Sequence, residues 1–328
     1  MSSTSWGSHQ PSTAPGGASL AAGLRQVLLW ASRRRQIKRI VTAAPVTRDV
    51  VRRFVAGETI DDAILATREL IGDGLLVSLD HLGEDTRDAA TASAAVAAYR
   101  SLAARLADEG LAPAAEMSVK LSALGQALDE GMALDNARVI CDAARTAGTF
   151  ITVDMEDHTT TDSTLGIVAQ LRKEFPSTGA VLQASLRRTE SDCRALGVPG
   201  SRVRLCKGAY QEPAALAWQR TDDVRGAFLR CLGILIAGGA LPMVATHDPR
   251  LIDATNRLVS EIRGAGFDHE YQMLNGVRPD EQARLVRAGE RVRVYVPFGV
   301  QWYGYLMRRM AERPANTALF LRALVTRS

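Results

Sequence analysis

Eight times along this chain, a short run of β-branched and aliphatic residues gives way to a polar residue and then to a longer amphipathic segment. The runs fall at 75–79, 117–121, 150–153, 180–184, 203–205, 242–245, 270–274 and 292–296. Helical spacing occupies stretches between them, such as 86–108, 136–147, 222–237, 250–264 and 280–288. Strand-then-helix alternation with apolar strands points to a parallel sheet covered on both faces. Eight such units close into a (βα)8 barrel, which needs about 250 residues and leaves room for extensions in a chain of 328. No GxGxxG follows the first run, so the phosphate turn of a doubly wound dinucleotide fold is missing.

Composition narrows the class. With 46% hydrophobic and 23% charged residues, the chain suits a globular protein rather than a disordered one. No apolar run reaches the roughly 18 residues that span a bilayer, and no convincing secretory signal is present. Cys141, Cys193, Cys206 and Cys231 form no CxxC or Cys/His metal spacing, which predicts reduced thiols in a cytoplasmic protein.

Charge is unevenly placed. Residues 1–53 hold nine Arg or Lys and the single acid Asp49, a net +8, so the remainder carries −4 of the overall +4. Such an N-terminal segment suits either a solvated helix face or peripheral contact with an anionic membrane. No aromatic residues interleave the basic ones as a base-stacking surface requires, so nucleic acid is not expected. Residues 1–20 read as a disordered Ser/Gly/Pro-rich leader, and helices are predicted over 24–41 and 47–55. The expected organisation is a leader (1–20), N-terminal helices packing on the barrel (21–70) and the barrel with its C-terminal helix (71–328).

In barrels of this type the chemistry gathers where the strands end. The residues read there are Asp80 with His81, Lys120, Asp154, Gln183, Arg204 with Lys207, Thr246 with His247, Gln272 and Tyr295. This set describes one crowded polar pocket. Lys120, between aliphatics in SVKLSAL, suits a Schiff base, an anion or flavin contact, or an ion pair for which Asp154 is the natural partner. Gly208 permits close approach of a ligand to the strand-five end. Thr246-His247 suits hydrogen bonds to a cofactor. A metal centre is not expected, because HxH and HExxH are absent and His81, His158 and His247 belong to three different units.

The stretch VRVYVPFGVQWYGYLMRRMAERPAN, residues 292–316, is the most informative. Tyr295 is expected to end the last strand, with Pro297 and Gly299 in the turn and a helix over 301–313. Tyr305, Arg308 and Arg309 share one broad face of that helix. The arginine pair suits a bidentate carboxylate or phosphate clamp, or a surface pair bridging to Glu312.

The segments SVKLSAL, ITVDMED, VLQASLRRT, VRLCKGAY, ATHD, EYQMLNG and the C-terminal stretch just quoted resemble the proline dehydrogenase family in its short, monofunctional bacterial form. The resemblance runs over roughly residues 75–320, with its motifs in order at successive strand ends. It implies a distorted (βα)8 barrel that holds FAD and oxidises L-proline to Δ1-pyrroline-5-carboxylate. It further implies that Arg308 and Arg309 hold the substrate carboxylate with help from Lys120, while Leu274, Tyr295 and Tyr305 wall the ring. By the same resemblance, Arg204 sits at the flavin N5 edge and stabilises its anionic reduced form. Gln183 and the Met155 backbone meet the isoalloxazine, Lys207, Gly208 and Ala209 approach it from strand five, and Thr246 and His247 bind further along the FAD. Asp154 belongs to the network orienting Lys120. Small departures from the pattern are Ser185, Cys206 and Gln211-Glu212. The implied partners are a membrane quinone as electron acceptor and a separate pyrroline-5-carboxylate dehydrogenase downstream.

Overall fold

The computed structural model describes residues 51–263 and 267–312, leaving aside the side chains of residues 263 and 308–312. The predicted leader and the helix over 24–41 lie outside those residues, and the helix over 47–55 is described only in part, being helical at 51–54. The chain divides into two compact units, Arg52–Trp302 and Met1–Val51 with Tyr303–Ser328.

The first unit holds eight parallel strands closed in sequence order. They are β1 (Leu76–His81), β2 (Ala115–Val119), β3 (Ile151–Val153), β4 (Gly179–Gln183), β5 (Arg202–Cys206), β6 (Leu241–Ala245), β7 (Glu270–Leu274) and β8 (Val292–Phe298). Closure is made by β8 on β1, with Val294 opposite Val77 and Pro297 opposite Asp80. Helix α1 (Ile60–Gly72) precedes β1 and packs on β1 and β8. After it come α2 (Ala89–Asp108), α3 (Glu130–Thr146), α4 (Thr161–Glu174), α5 (Thr189–Leu196), α6 (Thr221–Gly238), α7 (Pro249–Arg263) and α8 (Pro279–Arg287), each following one strand. Helix α9 (Trp302–Glu312) follows β8.

The expected runs and the strands agree to within one or two residues, and β7 agrees outright. Helix α3 starts six residues earlier than the spacing suggested. Asp129 caps it by accepting a hydrogen bond from the Met132 backbone N–H at 2.6 Å, so a full turn of weak pattern is recruited. Helix α1 begins in a capping box, in which Thr59 Oγ1 accepts from Asp62 N (3.1 Å) and Asp62 Oδ2 accepts from Thr59 N (3.0 Å).

Along the strands the side chains alternate. Val77, Leu79, Ala115, Met117, Val119, Val203, Leu205, Tyr271, Met273, Val292, Val294 and Val296 join the main apolar cluster. The intervening residues meet one another across the barrel interior. There Val, Ile and Leu usually dominate; here Ser78, Glu116, Ser118, Arg202, Arg204, Glu270, Gln272, Arg293 and Tyr295 interact. Strands β1, β2, β5, β7 and β8 are therefore buried on both sides without being apolar on both, which corrects the simpler reading, whereas β6 is apolar throughout.

Candidate active site

The lower part of the interior is ionic. Glu116, fully buried on β2, pairs with Arg202 of β5, and its Oε1 lies 3.7 Å from Arg204 and 3.9 Å from Arg293. Arg293 on β8 also grips Glu270 of β7, at 2.8 and 3.2 Å. Burial pushes the Glu116 carboxyl up, but the three guanidiniums outweigh it and bring it down to about 2. Arg202, Glu116, Glu270 and Arg293 were not singled out from the sequence. Glu116 and Arg202 fall just before the expected runs, and Glu270 and Arg293 lie inside them. Their signal was the alternation of charge with aliphatics in AEMSV, RVRLC, EYQML and VRVYV.

One layer higher, Arg204 occupies the centre. Its Nη1 donates to Asp154 Oδ1 (2.6 Å) and Ser118 Oγ (2.9 Å), its Nη2 to Ser78 Oγ (3.2 Å) and its Nε to Gln272 Oε1. The guanidinium also lies over the Tyr295 ring at 5.4 Å. Tyr295 donates its hydroxyl to Asp154 Oδ2 at 2.8 Å. Burial and the Asp154 and Asp80 carboxylates hold that phenol well above its ordinary pKa, so it stays protonated. Arg204 and Gln272 sit inside their strands rather than at the ends. Tyr295 is likewise the middle residue of β8, which runs on to Phe298 with Pro297 inside it, so the turn begins only at Gly299. A proline is tolerated that late in the strand, and its carbonyl still accepts from Ala56 N at 3.0 Å.

Lys120 follows β2 directly and caps the 3-10 turn Leu121–Leu124. Its nearest partner is Asp80 Oδ2 at 2.6 Å; Asp154 Oδ2 stands at 3.7 Å and the Tyr295 hydroxyl at 3.4 Å. The expected Asp154 pairing is therefore secondary. Burial lowers the ammonium pKa, yet Asp80 and Asp154 reverse this and raise it above the ordinary lysine value. A Schiff-base lysine needs the opposite shift.

The ends of β3 to β7 carry the remaining predicted residues. Met155 is buried after β3, and Gln183 at the tip of β4 donates to the Glu156 carbonyl at 2.7 Å. Lys207, after β5, pairs with Asp248 at 2.5 Å, and Arg225 reaches the same oxygen at 2.6 Å. Burial works against the ionised Asp248, but these two cations hold its pKa near 2. Gly208 has φ +107°, and a Cβ there would come within 2.2 Å of Ser185 Oγ. That glycine is required by its own left-handed backbone, a simpler reason than approach of a ligand. Ala209 is exposed. Thr246 Oγ1 accepts from Asp248 N (3.1 Å), and His247 Nε2 accepts from Leu274 N (2.8 Å), tying β6 to β7. Glu212, in the loop after β5, accepts from the His158 backbone N–H at 3.0 Å and pairs with its ring, which joins that loop to the one after β3. Tyr305, Arg308 and Arg309 lie on α9, and the side chains of the two arginines fall outside the described residues. Among the described residues no group of three or more His, Cys, Asp or Glu is placed to hold a metal ion, and no helix is long and apolar enough to cross a membrane.

Comparison with known proteins gives the family and the fold. The family model described as "Proline dehydrogenase" matches residues 63–322. Proline dehydrogenase 1 of Bacillus subtilis (strain 168) is 37% identical over 305 residues, covering 92% of this chain and 99% of the relative. Proline dehydrogenase of Deinococcus radiodurans is 38% identical over 307 residues, covering 92% and 97%. Among solved structures, proline utilization A from Bdellovibrio bacteriovorus, inactivated by N-propargylglycine, superposes with a TM-score of 0.76 at 21% identity. It shares the fold; the match covers 92% of this chain but 39% of that longer one.

Proposed function

The chain belongs to the proline dehydrogenase family, a family of flavin enzymes, and from that premise we propose how its barrel performs the oxidation. The substrate is L-proline, the cofactor FAD and the product Δ1-pyrroline-5-carboxylate. The observation that carries this reading is the buried guanidinium of Arg204, held from β1, β2, β7 and the residue after β3, next to the Lys120–Asp80 pair.

The residues present fit a flavin. Gln183 and Lys207 at adjoining strand ends, with Arg204 inside, offer amide, ammonium and guanidinium donors. Such a set suits the carbonyl and ring-nitrogen acceptors of an isoalloxazine. Met155, Gly208, Ala209, Thr246 and His247 complete the cofactor contacts in this reading. FAD, when bound, supplies the acceptor for the hydride that leaves the ring carbon beside the proline nitrogen.

Everything else is done by the chain. Lys120 stays protonated against Asp80 and presents a fixed positive charge to the substrate carboxylate, a role that the family resemblance gives also to Arg308 and Arg309. Leu274 and Tyr295 wall the pyrrolidine ring, a role that the family resemblance gives also to Tyr305. Asp154 holds Arg204, and through the Tyr295 hydroxyl it fixes that ring's orientation as well. With FAD bound, Arg204 would supply a buried positive charge beside the acceptor, in a place from which its burial excludes water. The proline amine must be unprotonated when the hydride leaves, since its lone pair forms the new C=N bond.

Electrons pass on to a membrane quinone, and a separate pyrroline-5-carboxylate dehydrogenase takes the product. The chain works in the cytoplasm, and the basic segment of residues 1–53 gives it peripheral contact with the membrane. The test is the visible spectrum of the purified protein before and after anaerobic L-proline. Flavin absorption that bleaches with L-proline and not with D-proline is expected. A yellow protein indifferent to proline overturns the substrate, and a colourless one that FAD does not reconstitute overturns the cofactor.

A further inference from the structure

We propose that Gln272 is a positioning residue, fixing the plane of the Arg204 guanidinium and thereby tuning the bound flavin. The proposal rests on the reading of Arg204 given above. Gln272 is buried on β7, directly between two charged systems. Its Oε1 accepts from Arg204 Nε at 2.5 Å, and its Nε2 donates to Glu270 Oε1 at 2.6 Å. Glu270 is itself immobilised by the two-point grip of Arg293, whose Nη1 also donates to the Val77 and Ala114 carbonyls at 2.8 and 3.2 Å.

An amide has one accepting end and one donating end. Because Glu270 can only accept, the donating end of Gln272 faces it, and the accepting end is forced toward Arg204. Gln272 is the partner that the described residues give to Arg204 Nε, whereas Ser78, Ser118 and Asp154 serve the two Nη groups. Those bonds hold the outer edge of the guanidinium plane, and the Nε bond to Gln272 holds its inner edge. The adapter is also neutral: with Asp154 at 2.6 Å and Glu116 at 3.7 Å already facing Arg204, a carboxylate at this position would add a third acid to one guanidinium and set it against Glu270. An apolar residue would leave a buried N–H unsatisfied.

The experiment compares FAD-loaded wild type, Gln272→Met, Gln272→Asn, Arg204→Met and the Gln272→Met/Arg204→Met double variant. Three quantities are read: the flavin midpoint potential, the affinity of apo-protein for FAD, and kcat and KM separately. Gln272→Met is expected to lower the flavin's reduction equilibrium about tenfold, about 30 mV for a two-electron couple. It should lower kcat while leaving the KM for proline unchanged, and it should add no further shift in the Arg204→Met background. If Gln272→Met does not fold, Gln272→Asn carries the same measurement, since it keeps the amide but draws the acceptor back by one methylene.

An unshifted potential in both Gln272 variants, beside a shifted one in Arg204→Met, overturns the positioning role and leaves the flavin reading standing. Additive shifts in the double variant overturn it too. An unshifted potential in Arg204→Met overturns the assignment of Arg204 itself, and the proposal with it.

Discussion

Lys120 and Asp80 form a buried ion pair, with 2.6 Å between Nζ and Oδ2 and the carboxylate almost wholly out of solvent. The other Asp80 oxygen, Oδ1, is buried without a hydrogen-bond partner among the described residues. One acid thus holds the lysine in its charged form while keeping an accepting oxygen in reserve beside it.

Replacing Asp80 tests that dependence. Asp80→Ala leaves Lys120 buried with only the more distant Asp154, and removing one partner of a buried pair costs about 3–5 kcal/mol. Denaturant unfolding at neutral pH is expected to show a loss of that size. A loss below 1 kcal/mol would mean that Asp154 suffices to hold the lysine.

Acid stability follows from Glu116. Its folded pKa is depressed to about 2 from an ordinary 4.5. The stabilisation is complete above the ordinary value and is lost as the pH falls from 4.5 toward 2. Unfolding free energies measured across that window should decline in the wild type. Glu116→Gln should decline less steeply, starting from a lower stability at pH 7 because buried Arg202 loses its carboxylate partner while Arg204 and Arg293 keep Asp154 and Glu270.

The carboxylate clamp proposed on α9 has its own signature. Arg309→Lys keeps the charge but removes the planar fork, and Arg309→Ala removes both. Loss of one member of a desolvated charge pair costs about 2–5 kcal/mol, so kcat/KM for proline should fall about thirty- to several-thousand-fold in the alanine variant. Lysine should recover only part of it. Flavin content should be unaffected in both, and steady-state kinetics beside the absorption spectrum separates the two effects.

Membrane contact is tested by co-sedimentation with anionic liposomes. Deleting residues 1–53 should reduce binding at low salt, and raising the salt should do the same to the intact chain. Binding unchanged by the deletion would place the contact elsewhere.

Much of this protein was legible in one dimension. Hydrophobic periodicity is a local property, so eight runs of strand residues and the helices between them could be read without knowing what they touch. Closure into a barrel followed from the number of units. The capping residues Thr59 and Asp129 were legible in principle, since their bonds span only three residues.

The partners across the barrel were not legible. Glu116 meets Arg202 from 86 residues away, Arg204 meets Gln272 from 68, and Lys120 meets Asp80 rather than the expected Asp154. Each of these contacts depends on strand register and on which side of the pleat a residue faces. A shift of one residue would turn Glu116 or Arg204 outward among the helices. The sequence by itself determined which strands exist, their order and the chemical types at their ends. Only the tertiary structure decided which charges neutralise one another, because closing the barrel brings residues from distant strands into a space where water no longer screens them.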